Sequence, residues 1–152
     1  MAQQLKIIHA SSVAIDGQAV IIMGPSGSGK TQSCLDLIDR GAMLIADDQC
    51  VLSKNNGHIH ISSISGFEGK IELRNVGIIQ MEHCQNIPAA LCVALNPNAP
   101  RFPSKYHSFD FDGLQIVKME MAHTPNIAQK IELSLQQINL GNIVIGANAI
   151  GG

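Results

Sequence analysis

Charge and aromatic side chains are both scarce in this chain. Of its 152 residues, 14% are Asp, Glu, Lys or Arg and 3% are aromatic, with no tryptophan. Hydrophobic residues nevertheless make up 45%, which excludes a disordered chain, since disorder needs low hydrophobicity and high charge. No apolar run approaches the roughly 20 residues of a membrane span, so no integral membrane protein is expected. Met1 to Lys6 lacks the apolar stretch of a secretory signal. Ten basic against twelve acidic residues give a net charge of −2, without the basic excess of a nucleic-acid binder. So few charges mean either that part of the surface is buried in an oligomer or that Ser, Asn and Gln solvate it. The cysteines, Cys34, Cys50, Cys84 and Cys92, form no C-x2-C pair of the kind zinc sites favour. Reduced thiols in a cytoplasm are the expectation. His58-Ile59-His60 would place two rings on one face of a strand, but the sequence offers no further ligands beside them.

What is present is organised. The length fits one domain, 1–152, and neither a repeat nor a long linker divides it. Leu5 to Ile8 reads as a strand. Ser12 to Ile15 and Gln18 to Met23 flank Asp16-Gly17, a strong signal for a two-residue hairpin turn. From Thr31 the spacing becomes helical, with Cys34, Leu35 and Ile38 on one face and Gly41 as the left-handed cap. Ala42 to Ala46 is a continuous apolar run, as for a strand buried on both faces. Gln49 to Leu52 and Ile59 to Ile64 predict a hairpin around Asn55-Asn56-Gly57. Ile71 to Ile79 and Ala89 to Leu95 read as further strands, and Asn96 to Pro103 as a Pro-rich loop. Thr124-Pro125 predicts an N-cap with a first-turn proline, and Ile127, Ile131, Leu135 and Ile138 recur at helical spacing until Gly141. Phe102, Tyr106, Phe109 and Phe111 crowd into ten residues; they form a small core, a subunit contact or part of a partner's dock, with core favoured because aromatics usually pack. Ile143 to Ile145 and Ile150 to Gly152 are either a strand or an oligomer contact.

Gly24-Pro25-Ser26-Gly27-Ser28-Gly29-Lys30-Thr31 carries the chemistry. It matches G-x-x-x-x-G-K-[ST] in full, between an expected strand and an expected helix. Successive backbone N–H groups must turn inward to hold phosphate oxygens, which requires glycine. Lys30 supplies a point charge to the β- and γ-phosphates, and the Thr31 hydroxyl is a Mg2+ ligand. Asp47-Asp48 follows 17 residues after Lys30, at the end of the next strand, where ligands sit in open α/β sheets. Two adjacent acids there allow one to hold metal or a neighbour and the other to take a proton from an attacking hydroxyl. The alternative is a solvated turn.

His9, the Gly24–Thr31 motif, Leu44-Ile45-Ala46-Asp47-Asp48 and Ile71-Glu72-Leu73-Arg74-Asn75-Val76-Gly77-Ile78-Ile79 together resemble the catalytic domain of bacterial HPr kinase/phosphorylase. The likeness runs from His9 to about Phe102 and corresponds to a short form without the family's additional N-terminal domain. It implies an α/β fold of the phosphoenolpyruvate carboxykinase-like P-loop type, a mixed sheet with flanking helices, in a hexamer. It also implies an ATP- and Mg2+-dependent kinase that phosphorylates a serine of HPr, the phosphocarrier protein of the sugar phosphotransferase system. Carried across, Lys30 is the phosphate-loop lysine and Thr31 the metal-binding hydroxyl. Asp47-Asp48 contains the base, with Asp48 favoured. His9 is the active-site histidine, Glu72 the second Mg2+ carboxylate, and Arg74 lies in the same signature strand. Arg101 matches a later active-site arginine.

Without the resemblance, Glu72 and Arg74 share a strand face and read as an ion pair, and Arg40 complements a helix C-terminus. The resemblance departs at Gln80-Met81-Glu82-His83-Cys84-Gln85, which replaces a glycine-rich stretch. It departs again at His123-Thr124-Pro125-Asn126, which lacks the arginine of the Pro-Gly-Arg segment associated with dephosphorylation. The kinase half of the activity is therefore the expectation. A small-metabolite kinase would need a mobile lid, and no Arg-rich lid segment is present. A nucleotide-binding regulatory module without transfer activity is the third reading.

Overall fold

The computed structural model describes residues 4–149. The first strands are β1 (Leu5–Ile8), β2 (Ser11–Ile15) and β3 (Gln18–Met23), followed by helix α1 (Lys30–Asp39) and β4 (Met43–Ala46). Next come β5 (Cys50–Asn55), β6 (His58–Ser63), β7 (Lys70–Leu73), β8 (Gly77–Gln80) and β9 (Ile87–Leu95). The last elements are β10 (His107–Phe111), β11 (Leu114–Met121) and α2 (Ile127–Asn139). Nine strands form one mixed sheet, in which β3 pairs parallel with β9 and β9 parallel with β11. Antiparallel β2 is inserted between β3 and β4, so β4 runs in the direction of β3. The C-terminal ends of β3, β4, β9 and β11 consequently share one edge of the sheet. The arm β1–β5–β6 joins through β6, which pairs with the first residues of β9.

Both faces of the sheet are covered, and that explains the unbroken apolar runs. On one face Val20, Ile22, Leu91 and Val93 pack under the helices, against Cys34 and Leu37 of α1 and Ile127, Ile131 and Leu135 of α2. On the other face Ala19, Ile21 and Cys92 meet Leu52, Ile59 and Ile61 of the β5–β6 arm. Each large aliphatic side chain so buried contributes about 1.5–3 kcal/mol. The buried stripe of α1 is Ser33, Cys34 and Leu37; it is centred one turn position away from the expected Cys34–Leu35–Ile38 face. Among the described residues, no helix is long and apolar enough to cross a membrane.

The hairpin turns are set by local chemistry. Asp16-Gly17 and Asn56-Gly57 both take positive φ at each residue (49° and 79°, 52° and 77°), the pattern of a two-residue turn whose twist matches its strands. Asp112-Gly113 does the same (49° and 77°) between β10 and β11, a hairpin that the strand expectations omit. Several other expectations need correction. Ile71 to Ile79 is not one strand: Arg74, Asn75 and Val76 make a turn, with Asn75 at φ 69°, between β7 and β8. Helix α2 starts at Ile127 with Asn126 as its cap, so Pro125 precedes the helix, and the Thr124 hydroxyl donates to Asn126 Oδ1 (2.6 Å). Ile143 to Ile145 forms turns and bends, not a strand; Ile150 to Gly152 lies outside the described residues. The aromatics do not form one cluster. Phe109 and Phe111 pack on the arm face and Tyr106 on the helix face, while Phe102 is exposed. Arg40 reaches beyond its own helix end to Glu132 of α2 (2.8 Å).

Candidate functional site

The Gly24–Thr31 loop leaves the end of β3 and enters α1 directly, with Gly29 capping the helix at φ 103°. Only glycine suits that backbone without strain. A second constraint acts at the same position: a Cβ on Gly29 would stand 2.8 Å from Cγ of His123, whose ring lies against the loop. Gly24 is likewise closed in, since a Cβ there would meet the Ser28 hydroxyl and the Leu95 side chain. The Ser28 hydroxyl oxygen is buried and has no hydrogen-bond partner. The Lys30 ammonium donates to the carbonyls of Gly24 (2.8 Å) and Pro25 (3.2 Å), and the Ser33 hydroxyl donates to the Gly29 carbonyl (2.7 Å). The loop is thus tied from inside.

Asp47 leaves β4 on the same edge. The β2–β4 register pairs Ser12 with Ala46, which brings Ser11 beside Asp47. The Asp47 carboxylate accepts from Thr31 Oγ1 (2.9 Å), Ser11 Oγ (3.1 Å) and the backbone N–H of Glu72 (3.3 Å). It is therefore the junction of α1, β2 and β7. Its neighbour is treated in the opposite way. Asp48 has φ 67°, a conformation that Asp tolerates better than most residues. Its backbone N–H donates to Ser11 Oγ (3.0 Å), while its carboxylate is exposed and takes no described hydrogen bond. One acid is consumed in architecture; the other is left free.

The remaining expected residues divide. His9 follows β1, exposed, two positions before Ser11, and its ring makes no described hydrogen bond. Glu72 arrives beside Asp47 through its backbone, with an exposed side chain. Arg74 stands two residues further on, in the exposed turn. Glu72 and Arg74 do not pair, since the one ion pair among the described residues is Arg40–Glu132. Arg101 is not brought to Asp47 or Lys30 by any described contact; its guanidinium lies over the Phe102 ring (5.4 Å) in the loop after β9. The hairpin of Glu72 is fastened at its base, where Cys84 N–H donates to the Leu44 carbonyl (2.9 Å). Gln85 clamps β4 to β6 there, accepting from Ser63 N–H (2.7 Å) and donating to the Ile45 carbonyl (3.2 Å). That is the role of the Gln80–Gln85 departure.

Two residues escaped the sequence reading: Ser11, which links both acids, and His123, which covers Gly29. Only strand register could have found the first. The thiols nearest the site are inert. Burial, reinforced by the Asp47 charge, holds Cys34 well above the ordinary thiol range and pushes Cys50 up to about 12. All four cysteines are free. Thr31, Asp47 and Glu72 offer oxygen donors of the kind Mg2+ takes, and a Mg2+ that binds phosphate needs only one or two protein carboxylates. Among the described residues no three His, Cys, Asp or Glu side chains gather to hold a metal unaided.

Comparison with known proteins agrees with this layout. The structure of the HPr(Ser) kinase/phosphatase from Coxiella burnetii superposes with a TM-score of 0.80 and 25% identity, over 90% of this chain and 92% of that one. The HPr kinase/phosphorylase of Clostridium botulinum is 33% identical over 84 residues, 55% of this chain and 28% of its own length. That of Malacoplasma penetrans is 29% identical over 106 residues, 68% of this chain and 35% of its own. The chain thus spans about a quarter to a third of the curated relatives it matches. The family model of the HPr serine kinase C-terminal domain matches residues 1–89, from β1 through the Gly24–Thr31 loop and Asp47 to the start of β9, and the chain belongs to that family.

Proposed function

We propose that this chain transfers the γ-phosphoryl group of ATP, with Mg2+, to a serine of HPr. The observation that carries the reading is the split between the acids: Asp47 engaged by Thr31 at 2.9 Å, Asp48 exposed beside it. Gly24–Thr31 is the phosphate loop. Its inward N–H groups and the α1 N-terminus attract phosphate, and Lys30 exchanges its carbonyl partners for phosphate oxygens. Asp47 orients the Thr31 hydroxyl, and these two with Glu72 are the groups that would hold Mg2+. When bound, Mg2+ neutralises charge on the phosphates.

Asp48 takes the proton of the HPr serine hydroxyl. The serine oxygen bonds to the γ-phosphorus as the bond to the β–γ bridging oxygen breaks, and ADP leaves. Most of the acceleration comes from positioning and charge stabilisation, for which Arg74, two residues beyond Glu72, and His9, two residues before Ser11, are the candidates. The loop before α2, His123-Thr124-Pro125-Asn126, carries no arginine, which favours phosphorylation over the reverse phosphorolysis. The insertion of antiparallel β2 between β3 and β4 supports the phosphoenolpyruvate carboxykinase-like P-loop type. Incubation with γ-labelled ATP, Mg2+ and purified HPr tests the reading. Label on an HPr serine is expected; ATP binding without transfer would overturn it.

A further inference from the structure

A cleft of about 580 Å3 opens between α2, β11 and the loop that follows β9, and the proposed reaction makes no use of it. Arg101, Lys105 and Lys130 line it, and Lys118 borders it. These are four of the ten lysines and arginines in the chain. The single acid in the lining is Glu120, which accepts from the Asn96 amide (3.4 Å). Among the described residues no ion pair neutralises any of the four cations, the one such pair being Arg40–Glu132, and Arg101 has only the Phe102 ring beside it.

Ser104, His107 and Ser134 are the other polar side chains of the lining, and the rest of the wall is apolar. Tyr106, Met119, Met121 and Ile143 line the cleft and pack against the core beneath α1 and α2. Its volume lies in the usual range for small-molecule sites, about 300–1,000 Å3 with mainly apolar walls and a few polar groups. Like charges held close repel one another, and a bound anion removes that repulsion. An adenosine group carries no charge, so a nucleotide held by its phosphates at Gly24–Thr31 would leave these cations unanswered. The charge excess calls for a different ligand.

We propose that this cleft is a second ligand site, for an organic anion with an apolar body, occupied independently of the phosphate loop. The probe is 1-naphthyl phosphate, titrated into the full chain while the Met119 and Met121 methyl resonances are followed by NMR. Both resonances are expected to shift saturably. Lys105→Gln combined with Lys130→Gln weakens binding at least tenfold, whereas Lys130→Arg stays within twofold of wild type. Inorganic phosphate and 1-naphthol each bind at least tenfold more weakly than the ester. Lys30→Met leaves the affinity within twofold, and saturating Mg-ATP does not displace the probe. The proposal is overturned if the two methionines do not move, or if the glutamine variants bind as wild type does. Equal binding of 1-naphthol, or displacement by ATP, overturns it as well, the latter by making the cleft part of the nucleotide site. Circular dichroism of each variant confirms that lost binding is not lost folding, and Lys105→Gln alone serves if the pair does not fold.

Discussion

The Gly24–Thr31 loop and the β7–β8 hairpin both meet Asp47, but they are built on different terms. The loop joins a strand and a helix of the main core, and Lys30, Thr31, Ser33 and the His123 ring hold it from several sides. The hairpin forms a separate two-stranded sheet, exposes Val76 and Ile78 at 68% and 71%, and reaches Asp47 through one backbone N–H. The loop is therefore rigid by construction. The part that carries Glu72 and Arg74 is an appendage, held by its base and by Asp47.

Substitutions at and around the junction test this contrast. Asp48→Asn keeps the left-handed backbone, which Asn also tolerates, and removes the proposed base. Transfer to HPr is expected to fall by about 10²–10⁴-fold with nucleotide affinity and melting temperature unchanged; an unaffected rate would move the base elsewhere. Lys30→Met removes charge-assisted hydrogen bonds of about 1.5–3 kcal/mol each. Nucleotide affinity measured by calorimetry should drop at least tenfold. Asp47→Ala deprives two hydroxyls and an N–H of their acceptor, and urea unfolding should show a loss of about 1–3 kcal/mol. If that variant is as stable as wild type, Asp47 does not join the two regions.

On the hairpin side, Glu72→Ala is an exposed change expected to alter stability by no more than about 0.5 kcal/mol. It should raise the Mg2+ concentration needed for half-maximal transfer. A pH-dependent effect lies in the core behind Asp47. Cys50 and Cys92 are pushed from 9.0 up to about 12 in the folded chain. Because the folded pKa is the higher one, their contribution is full below about pH 9 and is lost as pH rises from there toward 12. Urea midpoints at pH 8 and pH 10 should therefore converge in a Cys50→Ala variant relative to wild type, by roughly 1 kcal/mol.

Much of this molecule was legible where neighbours in sequence decide structure. The turns at Asp16-Gly17 and Asn56-Gly57, the loop motif and the period of Ile127 to Ile138 each carry their own geometry. Asp112-Gly113 has the same turn chemistry and carries the β10–β11 hairpin in the same way. The turn at Arg74 to Val76 was hidden because Ile71, Leu73 and Ile79 keep an apolar rhythm across it, while the reversal depends on Asn75 and Gly77 taking positive φ (69° and 114°). Ser11 and His123 could not be read at all, since their partners are chosen by the pairing of β2 with β4 and by where the chain runs after β11. The same applies to Arg101, whose match to a motif said nothing about where its loop would lie.

The three hydrogen bonds at Asp47 span 36, 16 and 25 residues. None can form until the chain has closed the corresponding loops, whose entropy must be met before the contact returns anything. A chain that has folded only β2, β3 and α1 has the strand and helix that flank the Gly24–Thr31 loop, but no His123 ring against Gly29, no oriented Thr31 and no fixed acid turn. The acid turn is thereby a late checkpoint on folding: under the proposed function, the base is in place only once strands distant in sequence have paired.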